Sequence, residues 1–281
     1  MDNMSQEKTS TKNNDNHNCD MENDCHCHSH YHCHCDCGCE ECNCEHNSMP
    51  RIGDVAPSFT ANTTQGIINF PSDYKGKWKI LFSHPADFTP VCTTEFITFG
   101  KMAEEFEALN CQLIGLSIDG LYSHIAWLRT IHEKIEYNGM KNIMIKFPLI
   151  DDIGMNVAKK YGMIQPNEST TSAVRAVFII DPEDKIRAMI YYPLVLGRNM
   201  TEIKRALIGL QTVDKFKVAL PADWHPGNDV IVPTANSCGI AKERMDESSN
   251  NNATGLHCYD WFFCVKPLSE KEVCDGIKSK K

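Results

Sequence analysis

Residues 78–108 most limit what this chain can fold into. The apolar run WKILF reads as a buried strand. A few residues later Thr89-Pro90 gives a strong helix-start signal, with Thr at the N-cap and Pro at the first helical position, where its missing N–H costs nothing. The predicted helix runs through EFITFGKMAEEFEAL, and Cys92 falls in its first turn. There the unpaired backbone N–H groups and the positive end of the helix dipole favour an anion. Such positions can bring a thiol from a free pKa of about 8.5 into the range of roughly 3.5 to 7.5. A strand that delivers a cysteine to a helix N-terminus is the layout of a redox thiol. Position alone leaves a small buried core thiol as the even alternative.

Downstream, β-like and α-like segments alternate. CQLIGLSID reads as a strand, LYSHIAWLRTIHEKI as an amphipathic helix, IKFPLID as a short strand and DIGMNVAKKYG as a helix closed by Gly162. Two β-rich runs flank the turn DPED in SAVRAVFIIDPEDKIRAMIYY, and a helix is predicted from Met200 through MTEIKRALIGLQTVDKF. The alternation predicts an α/β thioredoxin-like domain. SSNNNATG, residues 248–255, reads as a flexible loop.

Pro85, Thr89 and Cys92 stand in a P-x-x-x-T-x-x-C spacing. With it PADFTPVCTTE resembles the one-cysteine branch of the peroxiredoxins, over about Arg51 to Val273. The resemblance implies a thiol-dependent peroxidase that reduces hydrogen peroxide and small organic hydroperoxides. Cys92 would attack the O–O bond, Thr89 and Arg175 would orient the peroxide oxygens, and Pro85 would shield the nascent sulfenic acid. Arg175, otherwise a strand-edge charge, would supply a guanidinium that never deprotonates. Glu95 would hold that arginine, its alternative being plain helix-dipole complementation. His84 matches a histidine typical of this branch, with a core histidine bound to a backbone carbonyl as the alternative. LPADWHPGNDVIVP resembles the branch's C-terminal extension, which packs on a partner subunit, so a homodimer or a ring of dimers is implied. Branch members with phospholipase activity carry G-D-S-W; Lys77 stands at the serine position here, which excludes it.

CYDWFFC, with Cys258 and Cys264, has too many intervening residues for a structural zinc pair and no matching second pair. It resembles the C-terminal cysteine pair of archaeal-type relatives, which implies that one of the two resolves the Cys92 sulfenic acid; two buried thiols are the alternative. A thiol reductant such as thioredoxin or glutathione would close the cycle, with no metal or organic cofactor.

Residues 1–48 are a different material. They hold nine cysteines and seven histidines with no large aliphatic residue except Met, too little apolar surface to offset chain entropy. The expected organisation is a disordered Cys/His-rich arm over 1–48, a peroxidase domain over 49–213 and a C-terminal dimerisation extension over 214–281. In the arm, Cys33, Cys35, Cys37, Cys39, Cys42 and Cys44 form a ligand set suited to Zn or Cu(I). A metal-binding or metal-buffering protein is therefore the rival function.

The formal charge of −9 and the lack of a long basic run give no basis for nucleic-acid binding. No apolar run approaches the roughly 18 residues of a membrane span. The polar N-terminus, without an apolar signal core, predicts a cytoplasmic protein. A chain beginning at Met49 is expected to keep full peroxidase turnover while losing most metal binding. Steady-state kinetics check this, and a tenfold loss would place the arm in catalysis.

Overall fold

The computed structural model describes residues 49–249 and 255–278, all within one compact unit. Its centre is a seven-stranded sheet of order β2-β1-β5-β4-β3-β6-β7. The strands are β1 (Phe59–Thr63), β2 (Gly66–Phe70), β3 (Trp78–Ser83), β4 (Cys111–Ser117), β5 (Leu149–Asp151), β6 (Arg175–Ile180) and β7 (Ile186–Tyr192). β3 runs parallel to β4 and antiparallel to β6, and all of its residues are buried. A continuous apolar run suits a strand covered on both faces, because alternate side chains enter opposite cores. Ile80 and Phe82 pack with Phe96 and Phe99 of α1 (Pro90–Ala108), Trp127 of α2 (Leu121–Lys134) and Leu207 of α4 (Met200–Phe216). Leu81 enters the second core with Ile114, Leu116, Phe178 and Tyr161. Buried Lys79 is neutralised by Asp184.

The mixed α/β thioredoxin-like fold is the one the alternation predicts. The helix expected over DIGMNVAKKYG is shorter, α3 (Asn156–Lys160). Met155 takes a left-handed φ of 56°, and the Asp152 carboxylate accepts from the amides of Val157 and Ala158 at 3.1 and 2.7 Å, which fixes the start late. Gly162, at φ +63°, follows its end.

Beyond α4, Val218, Trp224, Val230, Leu268 and Val273 form a third, smaller core. Over it lies a sheet of order β8-β10-β9, made of β8 (Val230–Ile231), β9 (His257–Asp260) and β10 (Phe263–Lys266). The boundary expected at 213/214 falls inside α4. Of the loop expected at 248–255, Ser248 and Ser249 belong instead to α5 (Cys238–Ser249), and residues 250–254 lie outside the described residues. α6 (Glu270–Ile277) opens with a Ser269–Glu272 capping box. Among the described residues no helix is long and apolar enough to cross a membrane.

Candidate active site

Cys92 sits in the first turn of α1 and is fully buried. Thr89 holds the N-cap position with extended backbone (φ −102°, ψ 145°), but its hydroxyl makes no cap bond. It donates instead to the Ala86 carbonyl at 2.8 Å. The Thr89 carbonyl accepts from both the amide and the hydroxyl of Thr93, at 3.0 and 2.8 Å. Ahead of it, Phe88 adopts φ 55°, a left-handed conformation that bulky residues rarely take. Such a conformation costs on the order of 1–3 kcal/mol and persists only where its surroundings over-determine it.

Arg175, the first residue of β6, extends its guanidinium to the cysteine. Nη1 donates to Cys92 Sγ at 3.3 Å and to Glu95 Oε2 at 2.9 Å, while Nε and Nη2 donate to the Leu194 carbonyl at 3.0 and 2.6 Å. The sequence reading missed a second cation, Arg198, in the connection between β7 and α4. It gives Glu95 three hydrogen bonds: from its amide and Nε to Oε1 at 2.8 and 2.9 Å, and from Nη2 to Oε2 at 2.6 Å. Its Nη1 donates to the carbonyls of Ser83 and Ala176 at 2.9 and 3.0 Å. The guanidinium also lies over the Phe82 ring, 5.3 Å from its centroid. Burial alone would push the Glu95 carboxyl up. The charge and hydrogen bonds of Arg198, with Arg175 behind, hold it below the ordinary value of 4.5.

His84 and Pro85 are buried in the loop leaving β3. His84 is not bound to a backbone carbonyl through its ring; its Nε2 lies 3.0 Å from Asp87 Oδ1. The other carboxylate oxygen, Oδ2, is 2.8 Å from His124 Nδ1, and His124 Nε2 lies 3.1 Å from the Ile150 carbonyl. Burial pushes His84 below the ordinary histidine value, against the pull of Asp87. Burial would raise Asp87, but its hydrogen bonds with His124 and His84 bring it to about 2. His84, Asp87 and Asp119 have ligand atoms within 4.8 Å of one another. Both Asp87 oxygens and Asp119 Oδ2 are already engaged, the last accepting from Ser117 Oγ at 2.7 Å and from the Asp87 amide at 3.0 Å. We therefore read the cluster as a hydrogen-bond network.

The structure thus brings Cys92, Glu95 and Arg175 into one site, with Thr89 on the same helix end and His84 and Pro85 in the adjoining loop. Cys258 and Cys264 are not bonded to Cys92. They face each other across β9 and β10 with Cα atoms 4.0 Å apart, and their sulfurs are bonded to each other. Cys111 is buried in β4 and its thiol is pushed far up by burial. Cys238 is exposed and Cys274 half-buried, both unpaired among the described residues. The arm ligands Cys33, Cys35, Cys37, Cys39, Cys42 and Cys44 lie outside the described residues.

A model of the AhpC/TSA family matches residues 52–189, and one of the C-terminal domain of 1-Cys peroxiredoxin matches residues 209–248. A peroxiredoxin of Methanosarcina mazei is 64% identical over 223 residues, covering 79% of this chain and 100% of the relative. One of Aquifex aeolicus is 51% identical over 231 residues, covering 79% and 98%. Among solved structures, the yeast mitochondrial 1-Cys peroxiredoxin superposes with a TM-score of 0.66 at 38% identity, covering 78% of this chain and 100% of that one. The peroxiredoxin 6 of Arenicola marina gives 0.65 at 33%, covering 78% and 98%.

Glu95 links the site to acid stability. A carboxyl held below its ordinary value stabilises the fold fully above about pH 4.5, and that stabilisation is lost as pH falls through the depressed value. Glu95→Gln is expected to lower stability at pH 7 and to flatten its decline below pH 4.5. Denaturant unfolding at pH 3 and pH 7 measures both. Identical pH slopes for the two proteins would remove Glu95 from the linkage.

Proposed function

The chain belongs to the peroxiredoxin family and is a thiol-dependent peroxidase, and on that premise we propose that Cys92 is its peroxidatic nucleophile. The observation that carries the assignment is the Arg175 Nη1 to Cys92 Sγ bond of 3.3 Å at the N-terminus of α1. One carboxylate faces two guanidiniums there, so the buried site holds one positive charge in excess, placed where negative charge builds during O–O cleavage. The sulfur of Cys92 attacks one peroxide oxygen and becomes a sulfenic acid. The other oxygen leaves with the electron pair of the broken bond and takes up a proton as water or an alcohol. Arg175 stabilises the departing charge, Glu95 and Arg198 hold Arg175 in place, and Thr89 and Pro85 shape the pocket around the reacting oxygens. The full burial of Cys92 favours small hydroperoxides. All of these groups are protein atoms, and the chemistry needs no metal.

The second half of the cycle runs through the C-terminal pair. A reduced Cys264 or Cys258 condenses with the sulfenic acid, forming a disulfide to Cys92 and releasing water. The other thiol of the pair then displaces Cys92 by thiol–disulfide exchange. This leaves Cys92 reduced and Cys258–Cys264 oxidised, the pairing present in the structure. An external dithiol or glutathione reduces that pair; resolution of the yeast relative via glutathione/thioredoxin systems supports the class of donor. A homodimer or a ring of dimers is the assembly we propose. The metal reading of the arm is supported neither by the comparisons nor by any described residue.

Cys92→Ser is expected to abolish peroxide reduction, since a serine hydroxyl is too basic to serve as the nucleophile. A variant with wild-type turnover would overturn the assignment. Arg175→Ala should lower the second-order rate constant with hydrogen peroxide by on the order of 10²-fold, the scale of losing one preorganised donor. A rate within twofold of wild type would leave Arg175 a structural charge only.

Replacing both Cys258 and Cys264 by Ser should stop the reaction at the sulfenic acid and speed over-oxidation to sulfinic acid. Mass spectrometry of peroxide-treated protein reads both products. Normal dithiol-dependent turnover of the double variant would exclude the resolving role.

A further inference from the structure

The loop that carries the catalytic residues contains a buried charge that the peroxidase chemistry above does not use. Asp87 stands between His84 and Thr89, with its side chain almost wholly out of solvent. Each of its carboxylate oxygens faces a different histidine: His84 at 3.0 Å, leaving β3, and His124 at 2.8 Å, on α2. Its amide donates to Asp119, which Ser117 holds from β4. The far side of His124 meets the Ile150 carbonyl of β5. Through its side chain and its amide, Asp87 thus ties the loop to α2 and, by way of Asp119 and His124, to the ends of β4 and β5.

Two consequences follow from donor and acceptor counting. An ionised carboxylate only accepts, so the proton of a neutral His84 must sit on Nε2. Its Nδ1 is then a bare acceptor, and that atom is buried with no hydrogen-bond partner among the described residues. The second consequence concerns the backbone. Phe88, the residue after Asp87, turns through φ 55° to deliver Thr89 in extended conformation to the start of α1. Asp87 fixes the chain immediately before that turn. Trp127 closes the arrangement: it stacks on His84 at 5.1 Å and donates from Nε1 to Thr93 Oγ1 at 3.2 Å, one turn along α1 from Thr89.

We propose that Asp87 is a positioning residue for peroxide reduction, which fixes His84 as its Nε2–H tautomer and holds the turn that sets Thr89 and Cys92. It does not touch the reacting atoms; it acts through His84 and through the loop. This rests on Cys92 as the nucleophile, but its central observable does not.

The test joins the ring protons to the rate. Histidine-selective 15N labelling of the full chain, with His84→Gln as the assignment control, reads which ring nitrogen is protonated. In the wild-type protein His84 should carry its proton on Nε2. In Asp87→Asn the amide oxygen keeps one histidine as donor while its NH₂ faces the other, so either His84 Nε2 or His124 Nδ1 gives up its proton. The second-order rate constant with hydrogen peroxide, followed by tryptophan fluorescence, should fall at least tenfold in Asp87→Asn. In Asp87→Ala it should fall by on the order of 10²-fold, the scale of a small misplacement of reacting groups. A wild-type His84 protonated on Nδ1 would overturn the proposal whatever the Asp87 variants do. A shifted tautomer with an unchanged rate, or two folded variants within twofold of wild type, would overturn it as well. The groups facing Asp87 are His84, His124 and Asp119, so a wild-type-like pH profile in Asp87→Asn would argue against it too. Failure of Cys92→Ser to abolish activity is a separate result, since it leaves the tautomer measurement standing.

Discussion

A single buried carboxylate organises the site. Glu95 takes hydrogen bonds from two guanidiniums, and without them a charge in that position would be strongly destabilising. The arginines in turn need acceptors for their remaining N–H groups. They find them in the carbonyls of Ser83, Ala176 and Leu194. Satisfying one charge therefore fixes the end of β3, the start of β6 and the connection from β7 to α4. The same bonds orient Arg175 Nη1 toward Cys92. Stability and chemistry draw on the same contacts, so changes at Glu95 should not separate them.

The arrangement also depends on β3 and β6 being neighbours. β3 delivers the loop and α1, and its antiparallel neighbour β6 brings Arg175 to the same end of the sheet. Ser83 reinforces the join, since its hydroxyl donates to the Val174 carbonyl at 2.6 Å and accepts from the Ala176 amide at 3.2 Å. A site assembled from segments about 80 to 100 residues apart needs such a rigid frame, because loops alone would not hold the donors.

What the sequence shows of this divides along the range of the signals. β3, the start of α1 and the position of Cys92 come from local ones: an apolar run, a Thr-Pro cap and the periodicity behind it. Arg175 and Glu95 were legible by resemblance alone, since a strand-edge cation and a first-turn acid are common in any fold. Arg198 carried no local signal; in LGRNM it reads as a loop cation, and only its 103-residue separation from Glu95 in the folded chain gives it meaning. Asp87 was hidden for the same reason, its second partner being 37 residues away. Thr89 takes the N-cap position that the Thr-Pro signal indicates, while its hydroxyl donates back to the Ala86 carbonyl and makes no cap bond.

The same tightness that favours attack on peroxide opposes what must follow. Cys92 is buried and its sulfur is held by Arg175. A disulfide requires Cα atoms within about 7 Å and sulfurs in direct contact, so a resolving thiol cannot reach Cys92 while the first turn of α1 keeps this geometry. Any opening of that turn has to give up the Arg175 contact to Cys92. On the reading that Cys92 is the nucleophile, its resolution requires residues 84–95 to leave the geometry described here, and the hydrogen bonds of Asp87 and Glu95 oppose that departure.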